Sequence, residues 1–174
     1  DLLTAVAPAL GLEQVQLLSR AIRPSLLSSD VLLQKKAYKL LAVLSDQHNE
    51  WVRTELPALR AAMAEALPAC ASGCKGKRLA CLYAFVEALP AEDLAEILPS
   101  VLGEVVLATR EVNVKTRAAA FDLLICLAET VEKRARSSAS KADALRGLLL
   151  MVAAGLAGST MHMIAASLSA LGRL

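Results

Sequence analysis

The sequence predicts an all-α protein built from a repeated pair of helices. Three observations lead to this prediction. A segment of about twelve residues recurs four times, leucine and alanine dominate a chain that is 56% hydrophobic, and no run of β-branched residues alternates as a strand would. Repeats of roughly 40–47 residues with two helices each are typical of HEAT and armadillo proteins. We therefore predict a HEAT/armadillo-type α-solenoid of about four helix pairs.

The recurring segment starts with basic residues and continues as an apolar helix. Its copies cover residues 33–44, 75–86, 114–125 and, more faintly, 161–171. Aligning them on Ala37, Leu79, Ala118 and Ala165 gives spacings of 42, 39 and 47 residues. We predict a single solenoid over residues 1–174, with repeats at about 11–46, 49–89, 91–134 and 141–172.

Each of the first two repeats is predicted to contain two helices. The first helix starts near Gly11 and is expected to kink at Pro24, and the turn before the repeated helix 31–46 offers Asp30 as an N-cap. In the second repeat, Asn49 is the cap candidate, and Pro57 predicts a kink or a restart of the helix near residue 55. Gly73 suits a left-handed C-terminal cap before the repeated helix 77–89.

The second half of the chain repeats this scheme. The third pair places Pro99 inside its first helix and ends with a repeated helix over 114–134. Residues 136–141 are polar and small, so we predict a linker there. The last pair is expected at 142–157 and 160–171.

An uncharged run covers residues 147–172 and is long enough to cross a membrane. We favour two buried helices, because glycine and small polar residues at 155–160 interrupt the run where the repeat needs a turn. A membrane-associated protein using residues 147–171 stays as an alternative.

The sequence contains no recognisable catalytic or cofactor chemistry. It lacks a nucleotide-binding glycine loop and any paired nucleophile and base, so we expect no enzyme, no cofactor and no small-molecule substrate. The spacing of Cys70, Cys74 and Cys81 is looser than in structural zinc sites, so we expect no metal. With Cys126, these residues are predicted to be reduced thiols of an intracellular protein.

Seven basic residues at the starts of the repeated helices are the candidate binding residues. They are Lys35, Lys36, Lys75, Lys77, Arg78, Lys115 and Arg117. Equivalent positions of a solenoid align along one edge, so these residues would form a basic ridge for RNA phosphates or an acidic partner. Aromatic residues are not interleaved, which favours contacts to backbone and shape. The alternative is an internal ladder, in which each residue pairs with an acid or a carbonyl of the neighbouring repeat.

Four stretches resemble, in family order, the eukaryotic ribosomal-RNA-processing protein twelve family. They are residues 32–41, 77–82, 98–121 and 155–161. The third stretch is similar to the family's proline-containing helix, its "TKEV" turn (here Thr109–Val112) and the helix that follows, which here contains Ala118 to Phe121. The resemblance extends from about residue 26 onward.

This resemblance implies that the chain is a central part of a long, non-catalytic HEAT-repeat scaffold of the nucleus and nucleolus. Such proteins associate with pre-ribosomal RNA and ribosome assembly factors, and they assist small-subunit rRNA processing and nuclear export of subunits. Nuclear transport factors are a further partner class. No site residue is transferred from the family, because its members share no short catalytic motif. The alternative function is that of a generic HEAT-repeat protein-protein adaptor or nuclear transport receptor.

Overall fold

The structure, a computed structural model, describes residues 2–134 and 138–174. Every regular element in these two ranges is helical, which confirms the all-α class. The chain divides into two compact units, residues 1–89 and 90–174. The solenoid arrangement and the repeat boundaries stay predictions.

Over residues 2–89 the first unit contains five α-helices, with short 3-10 turns at Ala7–Ala9, Arg23–Leu27 and Ser72–Cys74. The helices are α1 (Leu2–Val6), α2 (Leu12–Ile22), α3 (Val31–Gln47), α4 (Asn49–Ala66) and α5 (Lys75–Ala88). Large apolar side chains from α3, α4 and α5 form the core, among them Tyr38, Trp51 and Leu79.

The second unit contains four α-helices within its described residues. They are α6 (Ala91–Ala108), α7 (Val114–Arg134), α8 (Ser138–Ala154) and α9 (Met161–Leu171). Asn113 caps α7, because its Oδ1 accepts the N–H of Lys115 at 2.9 Å and that of Thr116 at 3.2 Å. The buried Thr109 hydroxyl lies 2.7 Å from the carbonyl of Val106 and 3.3 Å from that of Ala166, which connects the end of α6 to α9.

The four repeated helices are confirmed as helices α3, α5, α7 and α9, each within two residues of the predicted bounds. The cap of α3 is also as predicted, since Asp30 Oδ1 accepts the N–H groups of Leu32 at 2.8 Å and Leu33 at 3.2 Å. An aspartate at the start of a helix is a local signal, which is why the sequence alone located this cap.

Two predictions about the second repeat are wrong. The restart near residue 55 is wrong, because α4 continues through Pro57, with Leu56 and Leu59 buried against the core; the kink offered as its alternative stays a prediction. The cap residue before α4 is His48, whose side chain makes no capping bond, and Asn49 is already helical.

The predicted left-handed cap at Gly73 is also wrong. No glycine in the described part of the chain has a positive φ, and Gly73 lies in a 3-10 turn. The loop is turned instead by backbone hydrogen bonds, from the N–H of Cys70 to the carbonyl of Leu67 at 3.2 Å and from that of Cys74 to Ala71 at 2.8 Å.

The predicted linker at 136–141 is wrong from residue 138 onward, because α8 begins at Ser138; residues 136 and 137 lie outside the described residues. Pro24 falls in the 3-10 turn that follows α2, so it ends that helix. The predicted break in the uncharged run is confirmed, with a 3-10 turn at Gly155–Ala157 between α8 and α9. Within ranges 2–134 and 138–174, no helix combines the length and apolarity that a bilayer crossing requires.

Helices α3 and α5 lie side by side and run in the same direction. Cys74 Sγ at the start of α5 donates to the carbonyl of Val31 at the start of α3, at 3.3 Å. Further along both helices, Arg78 Nη1 donates to Tyr38 Oη at 3.2 Å. Both contacts join residues 40 to 43 positions apart, in agreement with the predicted spacing of 42 between these two copies. The basic starts of α3 and α5 therefore lie at the same end of the pair.

Candidate functional site

The two adjacent lysines of α3 point to different sides of the helix. Successive residues of an α-helix are rotated by about 100°, so neighbours in sequence do not share a face. Lys36 lines a pocket together with Leu3 of α1. Lys35 lies one turn after Val31, whose carbonyl accepts the hydrogen bond from Cys74 at the start of α5, so Lys35 is on the α5 side of the helix. Burial raises the pKa of the Cys74 thiol, and the positive charge of Lys35 partly offsets that rise.

Three lysines share the start of the α3–α5 pair. Lys35 and Lys77 are exposed, and Lys75 is half-buried. We call Lys35, Lys75 and Lys77 the α3–α5 basic cluster. Their ammonium groups add to the positive ends of two parallel helix dipoles, so the potential at this end favours negatively charged partners.

Arg78 differs from its lysine neighbours because its side chain lies in the protein interior. Its relative exposure is 2%. The guanidinium donates to Tyr38 Oη at 3.2 Å and lies 5.9 Å from the centre of the Tyr38 ring, within the range of a cation–π contact. Arg78 therefore has the buried position that the internal ladder predicts. One of its partners is a tyrosine, whereas the ladder predicted an acid or a carbonyl.

The burial of Tyr38 makes the stability of the first unit depend on pH. Desolvation raises its pKa to about 12, although the nearby Arg78 acts in the opposite direction. The folded state therefore holds the phenol proton more tightly than the unfolded state, where the pKa is about 10. The stabilisation is complete below pH 10 and is lost as pH rises toward 12, and it amounts to at most about 3 kcal/mol.

We therefore expect the first unit of the wild-type chain to lose more stability between pH 9 and 11 than a Tyr38→Phe variant does. Urea unfolding followed by the fluorescence of Trp51, the single tryptophan, measures this directly. Tyr83, which is 37% exposed, is present in both proteins and serves as the internal control. Equal pH slopes for the two proteins would show that Tyr38 titrates normally.

The candidate residues of the second unit have different environments. Lys115 is exposed in the first turn of α7. Arg117 is half-buried, and its Nη1 donates to the carbonyls of Glu111 at 2.8 Å and Val112 at 2.9 Å. Arg117 thus stabilises the turn before its own helix, and Lys115 is the solvent-facing cation of this pair.

Sequence reasoning missed Gln34, which organises the end of the first unit where the basic cluster lies. Its side chain is fully buried. Nε2 donates to the carbonyls of Leu26 and Ala69, and Oε1 accepts the N–H of Ala71, all at 2.9 Å. One side chain thus joins the turn before α3 to the loop before α5 and fixes the two helix starts beside each other. Its position four residues after a good N-cap, Asp30, is the only signal in the sequence.

None of the four cysteines forms a disulfide; Cys74, Cys81 and Cys126 are buried and Cys70 is half-buried. In the part of the chain that the structure describes, no three histidine, cysteine, aspartate or glutamate side chains lie close enough together to hold a metal ion. Burial as small apolar side chains accounts for the three inner thiols.

Comparison with known proteins agrees with the resemblance seen in the sequence. The chain is 36% identical over its whole length to RRP12-like protein of Gallus gallus and 32% identical over its whole length to RRP12-like protein of Homo sapiens. Ribosomal RNA-processing protein 12 of Saccharomyces cerevisiae is 27% identical over 82% of the chain. The resemblance to the ribosomal RNA-processing protein 12 family is confirmed. The relationship includes the first 25 residues, for which no resemblance was predicted.

The ribosomal RNA-processing protein 12 relatives are much longer than this chain. It covers 13% of the chicken, human and budding-yeast proteins. No family model matches the chain. The names of these relatives refer to ribosomal RNA processing and to no catalytic activity.

Proposed function

We propose that this chain is a non-catalytic scaffold segment in ribosome biogenesis. It binds pre-ribosomal RNA and ribosome assembly factors in the nucleus and nucleolus, and it contributes to small-subunit rRNA processing and to nuclear export of subunits. The observation that carries the proposal is the α3–α5 basic cluster in a chain that resembles the ribosomal RNA-processing protein 12 family. Two of its three lysines are exposed, and all three lie at the start of parallel helices.

The chemistry of this cluster suits the RNA backbone. Lysine ammonium groups contact phosphate oxygens as point charges and carry no base specificity. Lys115 supplies a further exposed cation in the second unit. A surface of this kind binds RNA with an affinity that depends strongly on salt, because each neutralised phosphate releases counterions.

We expect a Lys35→Glu/Lys77→Glu variant to bind a 20-nucleotide single-stranded RNA at least tenfold more weakly than wild type at 50 mM salt. The slope of log affinity against log salt should become less steep by about 1.4, because two phosphate contacts are lost at about 0.7 each. Fluorescence polarisation at several salt concentrations measures both quantities.

The matched control is Arg20→Glu/Arg60→Glu, which makes the same charge change at exposed positions of α2 and α4. It should keep most of the RNA affinity and the salt slope. Equal losses in both variants would mean that overall charge, and not the α3–α5 basic cluster, determines RNA binding.

The cellular part of the proposal is tested by affinity purification of the whole protein from nuclear extract, with and without nuclease. Pre-rRNA and small-subunit assembly factors should be recovered, and nuclease should reduce them. Recovery of transport factors that is indifferent to nuclease would favour the alternative, a HEAT-repeat adaptor or nuclear transport receptor.

A further inference from the structure

A pocket with a volume of about 450 Å³ opens in the second unit, between α6, α8 and α9. Pockets that bind ligands in proteins have volumes of about 300–1,000 Å³ and mostly apolar walls. The walls of this one include Leu102 and Val106 of α6, Met151 and Val152 of α8, and Met163 of α9. We call it the α6–α8–α9 pocket.

The described walls of the α6–α8–α9 pocket are uncharged. Those from α8 and α9 all fall in the uncharged run 147–172, and those from α6 are proline, glycine, leucine and valine. A charged group that entered the pocket would lose its hydration without meeting an opposite charge on these walls. Electrostatic complementarity therefore favours an uncharged occupant.

Gly103 leaves part of the α6 wall as bare backbone. It lies inside α6, where glycine is less favourable than alanine. A Cβ atom added at Gly103 would meet no atom within 4 Å, so packing within the described part of the chain does not require a glycine here. Its missing side chain keeps the pocket open and allows a flat group to approach the helix backbone closely.

Two methionines favour an aromatic occupant over an aliphatic one. Met151 and Met163 line the pocket from different helices, and each is 36% exposed, so both side chains reach its mouth. A thioether makes favourable contacts with the edge of an aromatic ring, and the unbranched methionine side chain adapts to the shape of the group that it covers.

The α6–α8–α9 pocket also has one polar side chain without a partner. Ser167 lines the pocket and is 1% exposed, and its Oγ has no hydrogen-bond partner among the described residues. Ser167 Oγ lies against Gly155 of α8, where an added side chain would overlap with it. Because an unpaired buried hydroxyl is unfavourable, an occupant with an N–H or O–H group gains more here than a purely apolar one.

We propose that the α6–α8–α9 pocket is the docking site for a tryptophan or tyrosine side chain of a partner protein. The aromatic ring lies against Gly103 and beside the two methionines, and its N–H or O–H group pairs with Ser167. Leu107, which is 43% exposed, extends the apolar wall out of the pocket and gives the residues around the anchor a surface to cover. Buried tryptophan and tyrosine side chains are frequent anchors of protein interfaces.

The test begins with a library of random twelve-residue peptides displayed on phage and selected on the whole chain. Tryptophan or tyrosine should be enriched at one position, with uncharged residues beside it. The best peptide is then synthesised with a fluorescein label, and its affinity is measured by fluorescence anisotropy. Replacing the aromatic anchor by alanine should weaken binding roughly thirtyfold, as expected for a hot-spot residue. Replacing it by phenylalanine should weaken binding about fivefold, through loss of the hydrogen bond.

Three variants test the pocket itself. Gly103→Leu fills it and should weaken binding of the selected peptide roughly thirtyfold. Gly147→Leu is the matched control: Gly147 lies inside α8 with equally open surroundings, is not among the described lining residues, and should leave the affinity within about twofold of wild type. Ser167→Ala should weaken the selected peptide about fivefold and leave the phenylalanine peptide unchanged.

Four results would overturn the proposal. Selection of the same peptides by Gly103→Leu, or an unchanged affinity in that variant, would show that the pocket is not entered. Where leucine lowers the urea midpoint measured by circular dichroism, Gly103→Ala replaces it in this comparison. Enriched peptides without tryptophan or tyrosine would exclude an aromatic anchor. An equal loss in Gly147→Leu would show a general effect of stiffer helices. A dimer of the chain that Gly103→Leu dissociates would assign the pocket to a second copy.

Discussion

Replacing Gln34 by leucine is expected to lower the free energy of unfolding of the first unit by about 3–5 kcal/mol. The substitution keeps the approximate size of the side chain but removes hydrogen bonds to the carbonyls of Leu26 and Ala69 and to the N–H of Ala71. Each buried polar group that is left without a partner costs about 1–3 kcal/mol. The total stays below the sum because the loop before α5 is partly exposed and admits water.

The measurement is urea unfolding followed by the fluorescence of Trp51, which lies in the first unit and is the only tryptophan. This signal reports the first unit even where the two units unfold separately. Gln47→Leu is the matched control, because Gln47 lies exposed at the end of the same helix and should change the stability by no more than about 0.5 kcal/mol. Equal midpoints for the two variants would show that the three bonds of Gln34 contribute little.

Gln34 also shows where prediction from the sequence ends. The repeated helices were predictable because their signals are local: an N-cap such as Asp30, apolar residues at helical spacing, and breaks at Gly155–Ala157. Glutamine is usually a surface residue, and two of the three partners of its amide, Ala69 and Ala71, come from a loop 35 and 37 positions later in the chain. No local sequence pattern predicts that this loop packs against Gln34.

The candidate binding residues were predicted as one ridge because they recur at equivalent positions. The structure divides them by the rotation of each helix. Lys35 lies toward α5 and Lys36 toward the pocket beside α1, while Lys77 is exposed and Arg78 is buried. Two adjacent basic residues in a sequence show that two positive charges are present. Because each residue of an α-helix is rotated by about 100° from the one before, the two charges lie on different surfaces. The pocket beside α1 was not predictable, because α1 supplies one of its walls.

The second large effect is expected at Lys77 and Arg78, two adjacent residues of α5 of which one is exposed and the other buried. Arg78→Glu is expected to lower the stability of the first unit by about 3–5 kcal/mol, because it places a carboxylate at a 2% exposed position beside Tyr38 and removes the guanidinium contacts there. Lys77→Glu reverses the same charge at an exposed position and should cost no more than about 0.5 kcal/mol. Urea unfolding followed by Trp51 fluorescence compares the two.

Comparing the two variants shows, for Lys77 and for Arg78 separately, whether the residue belongs to the internal ladder or to the binding surface. Lys77→Glu should remain folded and lose RNA affinity, as a residue of the α3–α5 basic cluster would. Arg78→Met should recover most of the stability that Arg78→Glu loses, because an apolar side chain of similar length leaves no buried charge without a partner. If Arg78→Glu instead folds as well as Lys77→Glu and loses RNA affinity with it, then Arg78 faces solvent and belongs to the same binding surface as Lys77.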